Sequence, residues 1–138
     1  MKRFPFLTQR QTLILLRYAV AFVFLTHAVV RIVHATIPQF SIFLGNKGFL
    51  YGKIIVWAIT IFEVVSSIAL AAGYFIKWLS AGFMLMLLIG IIMIHASMGW
   101  FVGEHGTGGS EYSFILIMCL LMLAAKTEKP LPDNNQWR

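Results

Sequence analysis

One acidic residue, Glu63, stands in the middle of the apolar run IIVWAITIFEVVSSIALAAG, which covers residues 54–73. A charged side chain at the centre of a membrane helix costs roughly 2.5–3.5 kcal/mol on the insertion scale, so it usually faces other helices and has a partner. Thr60, Ser66 and Ser67 share its face at helical spacing. The pattern predicts that Glu63 points into a helix bundle, where it could transfer a proton or order a ligand.

A second polar stripe lies on an earlier apolar segment, TLILLRYAVAFVFLTHAVVRIV. Four polar residues fall within an arc of about 100° on this helix, namely Arg17, His27, Arg31 and His34. At about 1.5 Å per residue, His27 lies about 21 Å and Glu63 about 16 Å from the inner edge of the membrane. Because helical side chains tilt towards their own N-terminus, these two heights converge.

The heights rank the partners of Glu63. His27 is predicted to be the first partner, and Arg31 the second. Arg17 lies only about 6 Å above the inner edge, so it can snorkel to the water there.

Two later segments place further polar groups at the outer level. His95 lies near the outer end of the third segment, Glu111 begins the fourth, and Trp100 and Tyr112 flank them as interfacial aromatic residues do. We predict a pocket in the outer half of the bundle, in which Glu63 and His27 are catalytic and no metal is held. The predicted ligand-binding residues are Arg31, His95, Glu111, Arg17, Tyr112 and Trp100.

The elements that must position these residues are long apolar helices. Hydrophobic residues make up 59% of the 138 residues and charged residues only 12%, which is too little charge for the surface of a soluble domain. We predict an all-α integral membrane protein with four transmembrane helices, over about residues 12–34, 54–73, 77–101 and 111–126. These form one domain over residues 12–126, between an N-terminal segment, 1–11, and a disordered tail, 127–138.

The basic residues predict the orientation. Lys and Arg precede the first helix, occupy the turn at Lys77 and follow the fourth helix, whereas the loop GWFVGEHGTGGSE has neither. The positive-inside rule therefore places both termini in the cytoplasm. The net charge of +6 is mostly juxtamembrane, which favours contact with anionic lipid over nucleic acid. In the first outer loop, HATIPQFSIFLGNKGFLYGK predicts a short interfacial helix that either caps the bundle or contacts a ligand.

Several other interpretations compete with a catalytic site at Glu63 and His27. Polar groups between membrane helices often serve only as interhelical hydrogen bonds, and a Glu–His or Glu–Arg bridge can be purely structural. A transporter or proton relay, and a metal or haem held by His27 and His95, are further alternatives. The single cysteine, Cys119, excludes dithiol chemistry by this chain alone.

The ordered set of motifs resembles the DoxX family of small four-helix bacterial membrane proteins. The resemblance covers about Leu16 to Leu123. It rests on LLRYAVAFVFLTHAVVRIV, on FEVVSSIALAAGYF with Glu63, and on His95, the GW at Gly99 and GGSEY. The sequence departs from the family at Ala28, where glycine is common, and at Arg31, where lysine is more usual.

The resemblance implies a multi-pass protein of the bacterial inner membrane that acts as a subunit or accessory of an oxidoreductase. The expected chemistry is quinone-linked and related to sulfur, thiol or oxidative-stress handling, as in the small subunit of thiosulfate:quinone oxidoreductase. Quinone is the expected cofactor, and a partner protein must supply electrons, so the chain is not expected to be an enzyme alone. The expected partners are the lipid bilayer, a protein of that complex and a second copy of this chain. The alternative is a non-enzymatic scaffold or stress-response protein.

Overall fold

The computed structural model describes residues 6–95, 99–101 and 109–125. These residues form five helices and their connecting turns, with no strand in those ranges. The chain divides into two compact units, Met1–Phe75 and Ile76–Arg138. The predicted all-α class is therefore confirmed.

The first unit contains α1 (Gln9–Val33), α2 (Ile37–Asn46) and α3 (Gly52–Ala72). A capping box begins α1, because Thr8 Oγ1 accepts from the backbone N–H of Gln11 while Gln11 Oε1 accepts from the backbone N–H of Thr8. Helix α3 ends at its C-cap, Gly73, which has φ +89°. This left-handed conformation has no steric penalty for a glycine.

Helices α1 and α3 pack against each other within this unit, and α2 packs on α3. The predicted helix of the first loop is α2, and Pro38 lies in its first turn, where a missing N–H is tolerated. Gly52, the first residue of α3, is fully packed against α2. A Cβ at this position would lie 2.6 Å from the backbone oxygen of Ser41, so only a glycine lets the two helices approach so closely.

The second unit contains α4 (Ile76–Met93) and α5 (Glu111–Ala125), which pack against each other. We predicted that the third span extends to residue 101, but α4 ends at Met93. Gly99 takes φ +87°, a conformation that no α-helix contains. Residues 99–101 instead approach the start of α5, where the backbone N–H of Ser110 donates to Gly99 O at 3.2 Å.

Three of the helices are long and apolar enough to cross a membrane, namely α1, α3 and α4. Helix α5 is also apolar, but with 15 residues it is shorter than the helices that qualify as membrane spans by length. Large apolar side chains on the outside of the helices suit contact with lipid, for example Phe22 at 68% exposure and Ile92 at 75%. These helices are those of a membrane protein.

Candidate functional site

Four buried polar residues of the first unit lie on one face of α3. Thr60, Glu63, Ser66 and Ser67 are all buried, as their spacing predicted, and Glu63 is only 2% exposed. Helix α1 covers this face, with the small side chain of Ala28 fully buried against its neighbours. The stripe on α3 therefore faces protein.

Arg31 of α1 is the observed partner of Glu63. Its Nη1 donates to Glu63 Oε2 at 2.7 Å and to Thr60 Oγ1 at 2.9 Å, and the Arg31 side chain is 9% exposed. Thr60 Oγ1 in turn donates to Val56 O at 2.8 Å. The opposite charges thus compensate each other where water is scarce, and charge-assisted hydrogen bonds fix their geometry.

Height alone ranked His27 first and Arg31 second, and the structure shows the second of these, Arg31, bonded to Glu63. His27 is exposed on α1, whereas Arg31, one helical turn further along, is buried. Arg31 reaches Glu63 because of the direction and the length of its side chain. An arginine leans back towards the N-terminus of its helix and reaches about one turn, so it can meet a carboxylate at the level of a residue such as His27 or Ala28.

Helix α2 places an aromatic ring against Arg31 of the ion pair. The Phe40 ring lies 5.5 Å from Arg31 Cζ, in cation–π geometry, and stacks on Phe43 with ring centroids 6.2 Å apart. The backbone N–H of Thr36 donates to Arg31 O at 3.1 Å, which fixes the turn between α1 and α2. Helix α2 therefore contributes to the site, and the sequence signal for this was the cluster of aromatic residues in a loop.

The remaining residues predicted on α1 lie away from the ion pair. Arg17 packs against Gly73 at the opposite end of the unit. His34 is exposed and forms the C-cap of α1. Of this stripe, the structure bonds Arg31 to Glu63 and places Arg17 and His34 elsewhere in the unit.

The other four predicted residues belong to the second unit. His95 is half-buried in the turn after α4, and Glu111 is the first residue of α5. The backbone N–H of Glu111 donates to Trp100 O at 3.0 Å, and the Trp100 ring lies 5.6 Å from that of Phe114. Tyr112 is 54% exposed. Trp100 and Glu111 are thus neighbours at the start of α5.

The chemistry available at the ion pair is that of hydrogen bonding and proton transfer. A guanidinium offers five N–H donors, and a carboxylate accepts or releases a proton. In the described ranges no group of three or more His, Cys, Asp or Glu residues could hold a metal ion. We refer below to Arg31, Glu63, Thr60 and Phe40 together as the Arg31–Glu63 site.

In a comparison with known families, the chain matches a family model described as DoxX over residues 12–96. The matched region is more than half of the chain and contains most of α1, all of α2 to α4, the Arg31–Glu63 site and His95. It ends before Trp100, Glu111 and Tyr112, although the resemblance seen in the sequence extended to Leu123. No curated protein and no solved structure matches the chain.

Proposed function

This chain belongs to the DoxX family, and we propose that it is a membrane subunit or accessory of a quinone-linked oxidoreductase that uses the Arg31–Glu63 site to bind a quinone headgroup. The observation that carries the proposal is the buried pair itself. Arg31 Nη1 and Glu63 Oε2 lie 2.7 Å apart between α1 and α3, and each of these helices is long and apolar enough to span a membrane. Ionisable groups at such depth usually mark a ligand or proton path.

The residues present suit a quinone. Its two carbonyl oxygens need hydrogen-bond donors, which a guanidinium supplies, and its ring needs an apolar surface, which Phe40 supplies beside Arg31. When bound, a quinone would supply two-electron, two-proton redox chemistry. The electrons would come from a partner protein, because a single cysteine cannot act as a dithiol donor.

Each residue of the site would have a separate task. Arg31 would donate to a carbonyl oxygen and stabilise negative charge that develops on it. Glu63 would hold or transfer a proton at its carboxylate, and Thr60 would keep Arg31 oriented. His27, which is exposed one turn before Arg31, would exchange protons between Glu63 and the edge of the site.

We propose that α5 crosses the membrane as a fourth span, sheltered by its neighbours despite its length. Both termini would then lie in the cytoplasm of a bacterial cell, and His95, Glu111, Trp100 and Tyr112 would lie towards the outer surface. A homo-oligomer or the proposed partner protein would cover part of the exposed apolar surface.

The test is co-purification of quinone with the protein in nanodiscs made from native lipid. Glu63→Gln keeps the shape of the side chain but removes its charge. Ser67→Ala is the matched control, because Ser67 is buried on the same face and has no hydrogen-bond partner in the described chain. We expect mass spectrometry and absorbance to find quinone with the wild type and Ser67→Ala, and to find at least tenfold less with Glu63→Gln.

Two results would refute the proposal. Equal quinone content in wild type and Glu63→Gln would show that the pair does not bind it. Absence of quinone from all three proteins would favour the alternative, a non-enzymatic scaffold in which the ion pair fixes the register of α1 against α3. In that case Glu63→Gln would lower the stability of the bundle, because Arg31 would stay buried without its anion, and the activity of the complex would be retained.

A further inference from the structure

The turn between α2 and α3, residues 47–51, has a backbone fixed by hydrogen bonds, and we call it the α2–α3 turn. Its first half is a Schellman motif, in which the backbone N–H of Gly48 donates to Gly45 O at 2.9 Å. In the second bond of this motif, the backbone N–H of Phe49 donates to Leu44 O at 3.1 Å. Gly48 takes φ +93°, the left-handed conformation that the motif requires. The turn therefore begins in a defined geometry.

The end of the α2–α3 turn is fixed by the start of α3. The backbone N–H of Ile54 donates to Tyr51 O at 3.0 Å. Gly52 packs against the backbone oxygen of Ser41 in α2, and this contact leaves no room for a Cβ. Leu50, which lies between the Schellman motif and α3, is thus held from both sides. The exposure of its side chain is therefore a property of the fold.

The tip of the α2–α3 turn is an apolar surface that the described part of the chain does not cover. Leu50 is 93% exposed and Tyr51 is 69% exposed, and Phe49 before them is also exposed. Contact of a leucine side chain with water forgoes the hydrophobic stabilisation that burial gives. Adjacent exposed apolar side chains on a fixed backbone usually mark a surface that contacts something else.

The position of the tip identifies the bilayer as the surface that covers it. Helix α3 begins at Gly52 and has 21 residues, about 31 Å at 1.5 Å per residue, which is close to the thickness of the hydrocarbon core. Its start therefore lies at the boundary between acyl chains and headgroups. Ile54 and Trp57, in the first turns of α3, are exposed and share one helix face. The apolar surface thus continues from the tip onto a face of α3 that suits contact with lipid.

Two exposed lysines flank the tip and identify the kind of lipid. Lys47 and Lys53 lie three residues before and three residues after Leu50. Lys47 Nζ lies 5.8 Å from the centre of the Phe43 ring, which holds the ammonium group beside the end of α2. The first unit has a single acid in its sequence, Glu63, and that acid is bonded to Arg31. Phospholipid phosphates and anionic headgroups are therefore the charges that complement these lysines at the membrane surface.

We propose that the α2–α3 turn is a lipid anchor that selects an anionic phospholipid such as phosphatidylglycerol. Leu50 and Tyr51 enter the boundary of the acyl chains, and this depth brings Lys47 and Lys53 level with the phosphates. Aromatic and basic side chains are favoured together at this boundary. The anchor does not involve the proposed quinone site, so either proposal can fail without the other.

The first experiment measures the depth of the tip in a bilayer. Leu50→Cys, in a Cys119→Ser background, is labelled with a nitroxide and placed in vesicles of equal phosphatidylcholine and phosphatidylglycerol. We expect EPR power saturation to show that dissolved oxygen reaches the label more readily than a water-soluble nickel chelate does. Ile61→Cys is the control, because Ile61 is exposed near the middle of α3 and reports full immersion. A label at Leu50 that nickel reaches more readily than oxygen would overturn the proposal and favour a soluble partner.

The second experiment identifies the headgroup beside the same label, which speeds the relaxation of nearby phosphorus nuclei in solid-state NMR. We expect a larger effect on phosphatidylglycerol than on phosphatidylcholine, and this preference should fall about fivefold for each lysine replaced in Lys47→Gln and Lys53→Gln. Arg10→Gln is the matched control, since Arg10 is exposed at the start of α1 and its loss removes the same charge elsewhere. Equal effects on the two lipids would overturn the selectivity. Equal weakening by Arg10→Gln would show a non-specific charge effect and refute the anchor.

Discussion

Breaking the ion pair from one side should cost more stability than removing both charges. Arg31→Met leaves Glu63, at 2% exposure, without its cation, and Glu63→Met leaves Arg31, at 9% exposure, without its anion. Removal of one partner of a buried pair typically costs about 3–5 kcal/mol, because the other charge stays buried and uncompensated. Glu63 lies about 16 Å along α3 from Gly52, close to mid-membrane, so water cannot readily solvate it.

The double variant, Arg31→Met with Glu63→Met, leaves no unpaired charge. It still loses the hydrogen bond to Thr60, about 0.6 kcal/mol in a membrane, and the contact with Phe40, about 0.5–2 kcal/mol. Replacement of a buried pair by apolar residues is often neutral or stabilising. We therefore expect the double variant to lie within about 2 kcal/mol of wild type, and a coupling free energy of at least about 4 kcal/mol.

The free energy of unfolding can be measured in bicelles with an increasing fraction of SDS, followed by circular dichroism. Ile61→Met is the control, since Ile61 lies on α3 but is 57% exposed; its stability should stay within about 0.5 kcal/mol of wild type. If the double variant loses the sum of the two single losses, Arg31 and Glu63 are not coupled. Arg31 and Glu63 would then not form an ion pair in the membrane.

Two further substitutions test the contacts around the pair. Thr60→Val removes the acceptor for Arg31 and the donor to Val56 O. In the same unfolding assay it should lower the free energy of unfolding by about 0.6 kcal/mol, and by at most about 1.7 kcal/mol. A loss as large as that of Glu63→Met would contradict the geometry. Gly52→Ala should cost about 1–3 kcal/mol by forcing α2 away from α3, because its Cβ would meet Ser41 O at 2.6 Å. Gly45→Ala in α2 is its control, with no neighbour within 4 Å, and equal stability of the two variants would show that the close approach is absent.

The sequence alone determined the class of the protein and the polar face of α3. Residues that recur at helical spacing share a face in any α-helix. A carboxylate in an apolar span must turn away from lipid whatever the fold. For these reasons Thr60, Glu63, Ser66 and Ser67 could be placed together before any partner was known, and the polar stripe of α1 identified the helix from which the cation comes.

Only the tertiary structure shows that Arg31 meets Glu63. That contact depends on the register of two antiparallel helices and on the reach of a flexible side chain, neither of which is encoded by periodicity within one helix. The cover provided by Phe40 depends on the close approach of α2 to Gly52. Contacts between segments distant in sequence follow from how their surfaces fit together, and that fit is a property of the packed helices.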